Sequence, residues 1–259
     1  MKKILVTGAS GQLGLTLQEM ALDCSDLNFE FKTSQELDIT KNEKVSAVFE
    51  SKNFDFCINC AAYTNVEQAE KEPEKAFAVN AEGVKNVAIA CRDSNIILIH
   101  ISTDYVFDGE KKEPYLPDDE PNPINEYGRS KLAGEQHVQE LMEQFYIIRT
   151  SWLYSKKYGK NFYRTILGKA KKGETLKVTD EQIGRPTDTA SLSKFLIEEL
   201  VLGNKPFGIY HFTDGKTMAW YGFAKKILLE NGLVQKTKLV ADRNYRTIAP
   251  RPKNSSLSP

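Results

Sequence analysis

Ile4-Leu5-Val6-Thr7-Gly8-Ala9-Ser10-Gly11-Gln12-Leu13-Gly14 is the stretch on which the fold turns. A short apolar run meets glycines spaced G-x-x-G-x-x-G, and over residues 12–22 apolar side chains recur at helical spacing. The order is strand, tight loop, helix. Glycine lets the backbone turn sharply and lets a pyrophosphate approach, while the helix N-terminus offers unpaired N–H groups and a partial positive charge. A plain glycine-rich turn has the same composition; the position directly after the first strand of a β-α series favours dinucleotide binding. Gly8, Ser10, Gly11, Gln12, Leu13 and Gly14 are therefore candidate cofactor contacts.

Outward from this loop, residues 29–31 predict a second strand, 45–50 part of a helix, and 56–59 a third strand entering Ala61 and Ala62. Pro73 stands near the start of a long helix expected to reach about residue 93, where a first-turn proline sacrifices no needed N–H. Residues 96–101 form a nearly continuous apolar run, the pattern of a strand covered on both faces of a parallel sheet. Pro114, Pro117, Pro121 and Pro123 mark residues 110–125 as a surface excursion. A helix over about 126–143 and a strand over 145–150 follow. Beyond them the pattern is less regular: helices near 162–172, 190–202 and 220–231, with a strand at 208–212. The expected architecture is α/β, a Rossmann-type doubly wound parallel sheet over residues 1–150 with a smaller C-terminal substrate-binding cap, mainly 151–259, from which some segments return to the core. Residues 254–259 read as an end without a finishing element.

Bulk composition narrows the partners. Lysine plus arginine and aspartate plus glutamate stand at 35 each, so no long-range field draws the chain to nucleic acid or an anionic membrane. No apolar stretch approaches the roughly 20 residues of a membrane span. Lys2 and Lys3 lead into a short apolar run that meets glycine at once, leaving no room for a signal peptide, and a cytoplasmic location is expected. Four cysteines suit a reducing compartment. Cys57 and Cys60 form a C-x-x-C inside the apolar run 56–62, but no second pair or histidine cluster completes a metal site, so they read as buried thiols and no metal is expected. Nothing in the pattern fixes an oligomeric state.

A NAD-selective site normally supplies an acid near the end of the second strand. Here the stretch reads Lys32-Thr33-Ser34, a cation and two hydroxyls that tolerate a 2′-phosphate, so either NADPH or NADH fits, with Thr33 as a candidate contact. Asp38 and Ile39 could flank the adenine; a solvated loop acid is the alternative. Ser102 to Phe107 leave the apolar strand at its carboxyl end, where such folds bind ligands. Tyr127 and Lys131, four apart, share one helix face. Reducing a ketone builds negative charge on oxygen, so a donor must supply a proton. A tyrosine with a free pKa near 10 needs a neighbouring ammonium to release one readily, and Thr103 can hold the carbonyl oxygen.

On these residues the sequence resembles the dTDP-4-dehydrorhamnose reductase family, RmlD-like members of the extended short-chain dehydrogenase/reductases. The match runs nearly end to end: Thr7 to Gly14, Asn59 to Thr64 with Val66 and Ala69-Glu70, Asn80-Ala81, Ser102 to Phe107, Tyr127 to Glu135, Arg149 to Trp152, Gly184 to Thr187, and Arg251-Pro252. The resemblance implies Thr103, Tyr127 and Lys131 as catalytic trio, with Ala61, Ala62, Tyr63 and Asn80 lining the cofactor. It points to Val66, Asp104, Tyr105, Trp152 and Arg185 for the sugar nucleotide, although Trp152 also reads as core and Arg185 as a surface ion-pair partner. Cys60 stands where small residues are usual. Some relatives dimerise through a magnesium ion held by an acid just after the glycine loop; Leu15 stands there, so no such metal is expected. The chain also stops short of the C-terminal segment that family members carry. The implied reaction passes hydride from NAD(P)H to C4 of dTDP-4-dehydro-L-rhamnose, giving dTDP-L-rhamnose. The rivals are a reductase or epimerase of another nucleotide sugar and a non-catalytic cofactor-binding regulatory subunit.

Overall fold

Six parallel strands organise the computed structural model, which describes residues 1–259. In chain order the first half runs β1 (Lys2–Thr7), α1 (Gln12–Ala21), β2 (Leu27–Lys32), α2 (Asn42–Glu50), β3 (Phe56–Asn59), a short α3 (Val66–Ala69), α4 (Pro73–Phe77), α5 (Gly83–Asp93), β4 (Ile97–Thr103), α6 (Glu126–Leu141) and β5 (Phe145–Thr150). The second half runs β6 (Leu153–Tyr154), α7 (Phe162–Lys171), β7 (Leu176–Val178), β8 (Ile183–Gly184), β9 (Thr187–Asp188), α8 (Thr189–Phe195), β10 (Gly208–His211), β11 (Met218–Ala219), α9 (Trp220–Glu230) and β12 (Leu239–Ala241). The sheet order is β10-β5-β4-β3-β1-β2, every pair parallel. Because β1 lies between β2 and β3, the chain reverses its direction of growth there, and a crevice opens at the carboxyl ends of β1 and β3.

Side-chain alternation along the strands feeds two cores. Leu5, Cys57, Leu98 and Ile147 face α2, α5 and α6 through Val45, Phe49, Val84, Val87 and Val138. Ile4, Val6, Ile58, Ile99 and Ile148 face the other way, onto Leu13 and Leu17 of α1 and onto Leu192, Leu196 and Leu200. The helix carrying those leucines and the edge strand β10 both follow residue 150, so residues 189–211 build the sheet layer itself. The Thr16 hydroxyl on α1 is hydrogen-bonded to that of Thr189 on α8 at 2.9 Å. A third core, formed by Tyr154, Tyr163, Ile166, Phe223 and Ile227 among others, joins α7 and α9 above the carboxyl edge of the sheet.

Four helices begin on side-chain caps: Asn65 accepts from Gln68 N, Asn125 from Gly128 N, Asn161 from Arg164 N and Asp188 from Ala190 N. The helical stretch 73–93 carries a π-helical turn at Ala78–Glu82, and α8 continues into another at Leu196–Val201. Strand β4 runs to Thr103, beyond the apolar run, because Ser102 and Thr103 stay in register with Arg149 and Thr150. Residues 254–259, read from sequence as a loose end, are instead strapped down. Tyr115 N donates to Ser256 O and Ser258 N to Tyr115 O, both at 2.8 Å, and buried Leu257 packs with Val106, Phe107 and Tyr115. The pairing partner is the proline-rich excursion, and so distant a contact leaves no local pattern in either segment. No helix is long and apolar enough to cross a membrane.

Candidate active site

The glycine loop closes on β3 at the crevice. Gly8 holds φ at +65°, and a Cβ on it would lie 2.6 Å from the Ala61 backbone nitrogen, so only glycine lets the two strand ends come this close. The N-terminus of α1 has no side-chain cap and no acid in its first turn, which leaves its N–H groups and positive dipole end for an anion. Gln12 contributes only backbone to that end. Its side chain ties the core to the segment beyond β5, donating to Leu153 O at 3.0 Å and accepting from Ser155 N and Asn161 Nδ2.

A cleft of about 760 Å³ extends from this loop across the carboxyl ends of the strands. Among the residues singled out from sequence, its walls bring together Gly8, Ser10, Gly11, Gln12, Leu13, Gly14, Asp38, Ile39, Ala61, Ala62, Tyr63, Val66, Thr103, Asp104, Tyr105, Tyr127, Lys131 and Trp152. Three stand off it. Thr33 is turned to Glu36, whose carboxylate accepts from its N–H and hydroxyl at 2.8 Å, and Ser34 takes the place on the wall. Asn80, in the π-helical turn, sits behind the wall: its amide accepts from Tyr63 N at 2.8 Å and donates to Tyr63 O and Ser130 Oγ at 3.0 Å. Arg185 points to Thr217, donating at 2.9 Å. Lys32 is paired with Glu30, and the carboxylate of Asp38 accepts from Thr40 N and Oγ1.

Helix α6 carries Tyr127 and Lys131 into the cleft. A Cβ on Gly128 would lie 2.1 Å from Tyr105 O, so this glycine sets how closely the helix meets the end of β4. One turn further, buried Glu135 forms an ion pair with buried Arg149 of β5 at 2.7 Å and accepts from Ser102, clamping the helix to the sheet. Lys131 Nζ donates to Ile101 O at 2.6 Å and lies 3.3 Å from His100 Nε2. Burial pushes its pKa down to about 8, opposed chiefly by the charge of Glu135. Burial also raises the Tyr127 phenol above its ordinary value, with Thr103 pulling it partly back. Asp104 is pushed up to about 7 by burial, against Ser255, Thr103 and Arg251, and its Oδ2 has no hydrogen-bond partner.

Aromatic rings wall the far side. Trp152 stacks on Trp220 with centroids 3.5 Å apart and planes 8° from parallel, and Phe162 packs against Trp220. Trp152 holds φ at +48°, a left-handed conformation that costs a non-glycine residue roughly 1–3 kcal/mol and is kept only where surroundings enforce it. All three rings line the cleft.

A family model described as "RmlD substrate binding domain" matches residues 1–259. The chain belongs to the dTDP-4-dehydrorhamnose reductase family. A dTDP-4-dehydrorhamnose reductase of Aggregatibacter actinomycetemcomitans is 39% identical, over 99% of this chain and 90% of the relative. A dTDP-4-keto-6-deoxy-D-glucose reductase of Streptomyces niveus is 38% identical over 85% of this chain and 76% of its own length. The crystal structure of the dTDP-4-dehydrorhamnose reductase of Bacillus anthracis str. Ames in complex with NADP superposes with a TM-score of 0.94 at 40% identity, covering 100% of this chain and 91% of that one.

Within this member of the reductase family, three site residues escaped the sequence reading, Arg251, Trp220 and Phe162. Arg251 donates to Tyr105 Oη at 2.8 Å, stands over the Tyr105 ring and pairs with Glu67, whose other oxygen accepts from Ile248 N at 2.7 Å. Its only sequence signal was membership in the Arg251-Pro252 match, with no position relative to the cleft. Trp220 carried no signal at all, because a tryptophan opening an amphipathic helix reads as core.

Proposed function

We propose that this protein reduces dTDP-4-dehydro-L-rhamnose to dTDP-L-rhamnose with NADPH or NADH, using Tyr127 as proton donor. The observation that carries this reading is the convergence of Thr103, Tyr127 and Lys131 on one cleft with the glycine loop. The cradle suits a dinucleotide: Gly8 lets the loop close against the Ala61 backbone, and the uncapped end of α1 is open to an anion. When bound, the reduced nicotinamide supplies hydride to the sugar carbonyl carbon.

The chain's own residues do the rest. Negative charge gathers on the carbonyl oxygen as hydride arrives, and a neutral phenol there both donates a hydrogen bond and gives up its proton. Tyr127 is protonated throughout the neutral range, since burial raises its pKa, so it is a donor in the resting enzyme. Lys131, charged below about pH 8, stabilises the phenolate that forms. The Thr103 hydroxyl, now donating to Asp104 Oδ1 at 3.0 Å, is the second donor for the oxygen. Asp104, Tyr105 and Val66 face the sugar, and the Trp152, Trp220 and Phe162 wall, supplied by residues beyond 151, takes the nucleotide. Arg185 must leave its bond to Thr217 to take part. We place the enzyme in the cytoplasm, where its four free thiols stay reduced.

The Streptomyces relative's name keeps a second 4-keto-6-deoxy sugar in view. Oxidation of NADPH and of NADH, followed with a panel of 4-keto-6-deoxy nucleotide sugars and with product identification, separates the readings. The expected result is the highest kcat/KM with dTDP-4-dehydro-L-rhamnose; a higher value with another sugar overturns the substrate assignment, and no oxidation with any of them overturns the enzyme.

A further inference from the structure

A chain of buried polar side chains crosses three strands to reach the lysine. Thr7, Asn59 and His100 have no exposure, and Lys131 has 2%. Thr7 stands opposite Asn59 in the register of β1 and β3, and Asn59 opposite His100 in that of β3 and β4. Thr7 Oγ1 donates to Asn59 Oδ1 at 2.6 Å, and Ala61 N donates to the same oxygen at 3.3 Å. A backbone N–H can only donate, so Ala61 fixes which end of the amide faces it. Asn59 Nδ2, also only a donor, then faces His100 Nδ1 at 3.2 Å. That nitrogen must offer its lone pair, and a neutral ring carries its single proton on Nε2, 3.3 Å from Lys131 Nζ.

An ammonium has no lone pair to accept this N–H, whereas a neutral amine has one. We propose that Thr7, Asn59 and His100 are positioning residues that hold an imidazole N–H against Lys131, favour its neutral amine, and so set the pH at which the enzyme loses its charged lysine. The proposal rests on the reductase reading for its kinetic consequence. Other groups facing Lys131 oppose it: Glu135 on the same helix favours the ammonium, its charge partly offset by its partner Arg149 on β5, and Ile101 O accepts from Nζ, while the buried Cys60 thiol after β3 stays neutral. Tyr127 lies one turn earlier on α6. His100 itself stays neutral, because burial and the neighbouring Lys131 hold its pKa well below the ordinary histidine value.

The test starts with wild-type protein labelled with ¹⁵N-histidine and bound to NADP⁺. The ring-nitrogen shifts of His100 are expected to report a proton on Nε2; a proton on Nδ1 overturns the proposal, and neither outcome depends on turnover, so it is decided separately from the reductase assignment. Asn59→Asp then reverses the chain. One carboxylate oxygen still accepts from Thr7 and Ala61, while the other takes the Nδ1 proton and turns the Nε2 lone pair toward Lys131. The expected result is His100 protonated on Nδ1 and an alkaline limb of kcat moved up by about one pH unit or more. The new carboxylate charge acts on Lys131 in the same direction, so the tautomer is the deciding readout. A limb that stays in place, or a ring that keeps its Nε2 proton in the variant, overturns the proposal.

Discussion

Replacing Glu135 by glutamine leaves the shape of α6 intact and removes the charge against which Arg149 is buried. Arg149 Nε lies 3.1 Å from both carboxylate oxygens and Nη2 2.7 Å from one, with side-chain exposures of 2% for arginine and 0% for glutamate. Removing one partner of such a pair leaves an uncompensated buried charge and costs about 3–5 kcal/mol. Glutamine still accepts from Ser102 and from one guanidinium N–H, which places the loss toward the lower end. At about 2–4 °C of Tm per kcal/mol for a chain of this size, the expected fall is about 6–12 °C. Thermal unfolding with urea titration alongside measures it. Replacing both partners by Leu and Met should recover much of the loss, because a well-packed apolar pair avoids the desolvation of two ions. A loss under about 1 kcal/mol in Glu135→Gln would refute the argument that this pair clamps the helix carrying Tyr127 and Lys131. The same substitution removes a charge that favours the Lys131 ammonium, so the alkaline limb of activity should also move down in pH.

Gly8→Ala places a methyl 2.6 Å from backbone at a φ of +65°, and titration with NADPH should show affinity reduced by at least about tenfold; unchanged affinity would remove the loop from the cofactor site. Asp104, pushed up to about 7 from an ordinary 3.8, is more easily protonated folded than unfolded, so its contribution to stability is present at low pH and is lost as pH rises from about 4 through about 7. Asp104→Asn should therefore gain Tm relative to wild type across that window, with an upper bound of about 4 kcal/mol, and show a constant difference above it. Trp220→Ala removes the face stacked on Trp152, and KM for the nucleotide sugar should rise by about 5- to 100-fold, with the KM for NADPH little changed.

Much of the site was legible because its chemistry is local. The loop from Gly8 to Gly14 declares itself by spacing and by its place after a strand, and Tyr127 and Lys131 share a helix face by arithmetic alone. The run of apolar residues ending at Ile101 announced a strand buried on both faces, and β4 has α6 on one side and the α1 and α8 layer on the other. What was hidden depends on residues far apart in the chain. Asn59 and His100 meet only because β3 and β4 pair, Arg251 reaches Tyr105 across 146 residues of sequence, and residues 254–259 find their partner in the excursion around Tyr115. Asn80 shows a finer limit: family resemblance put it among the residues lining the cofactor, whereas its hydrogen bonds show a residue that holds Tyr63 from behind the wall.

The central claim is that hydride reaches the sugar while Tyr127 supplies the proton, and NADPH deuterated at nicotinamide C4 tests it in one experiment on wild type and Tyr127→Phe. The account predicts deuterium at C4 of the product sugar from wild type, and a variant that binds NADPH normally but turns over about 10² to 10⁴ times more slowly. Deuterium absent from the sugar, or a phenylalanine variant that turns over at the wild-type rate, would contradict it.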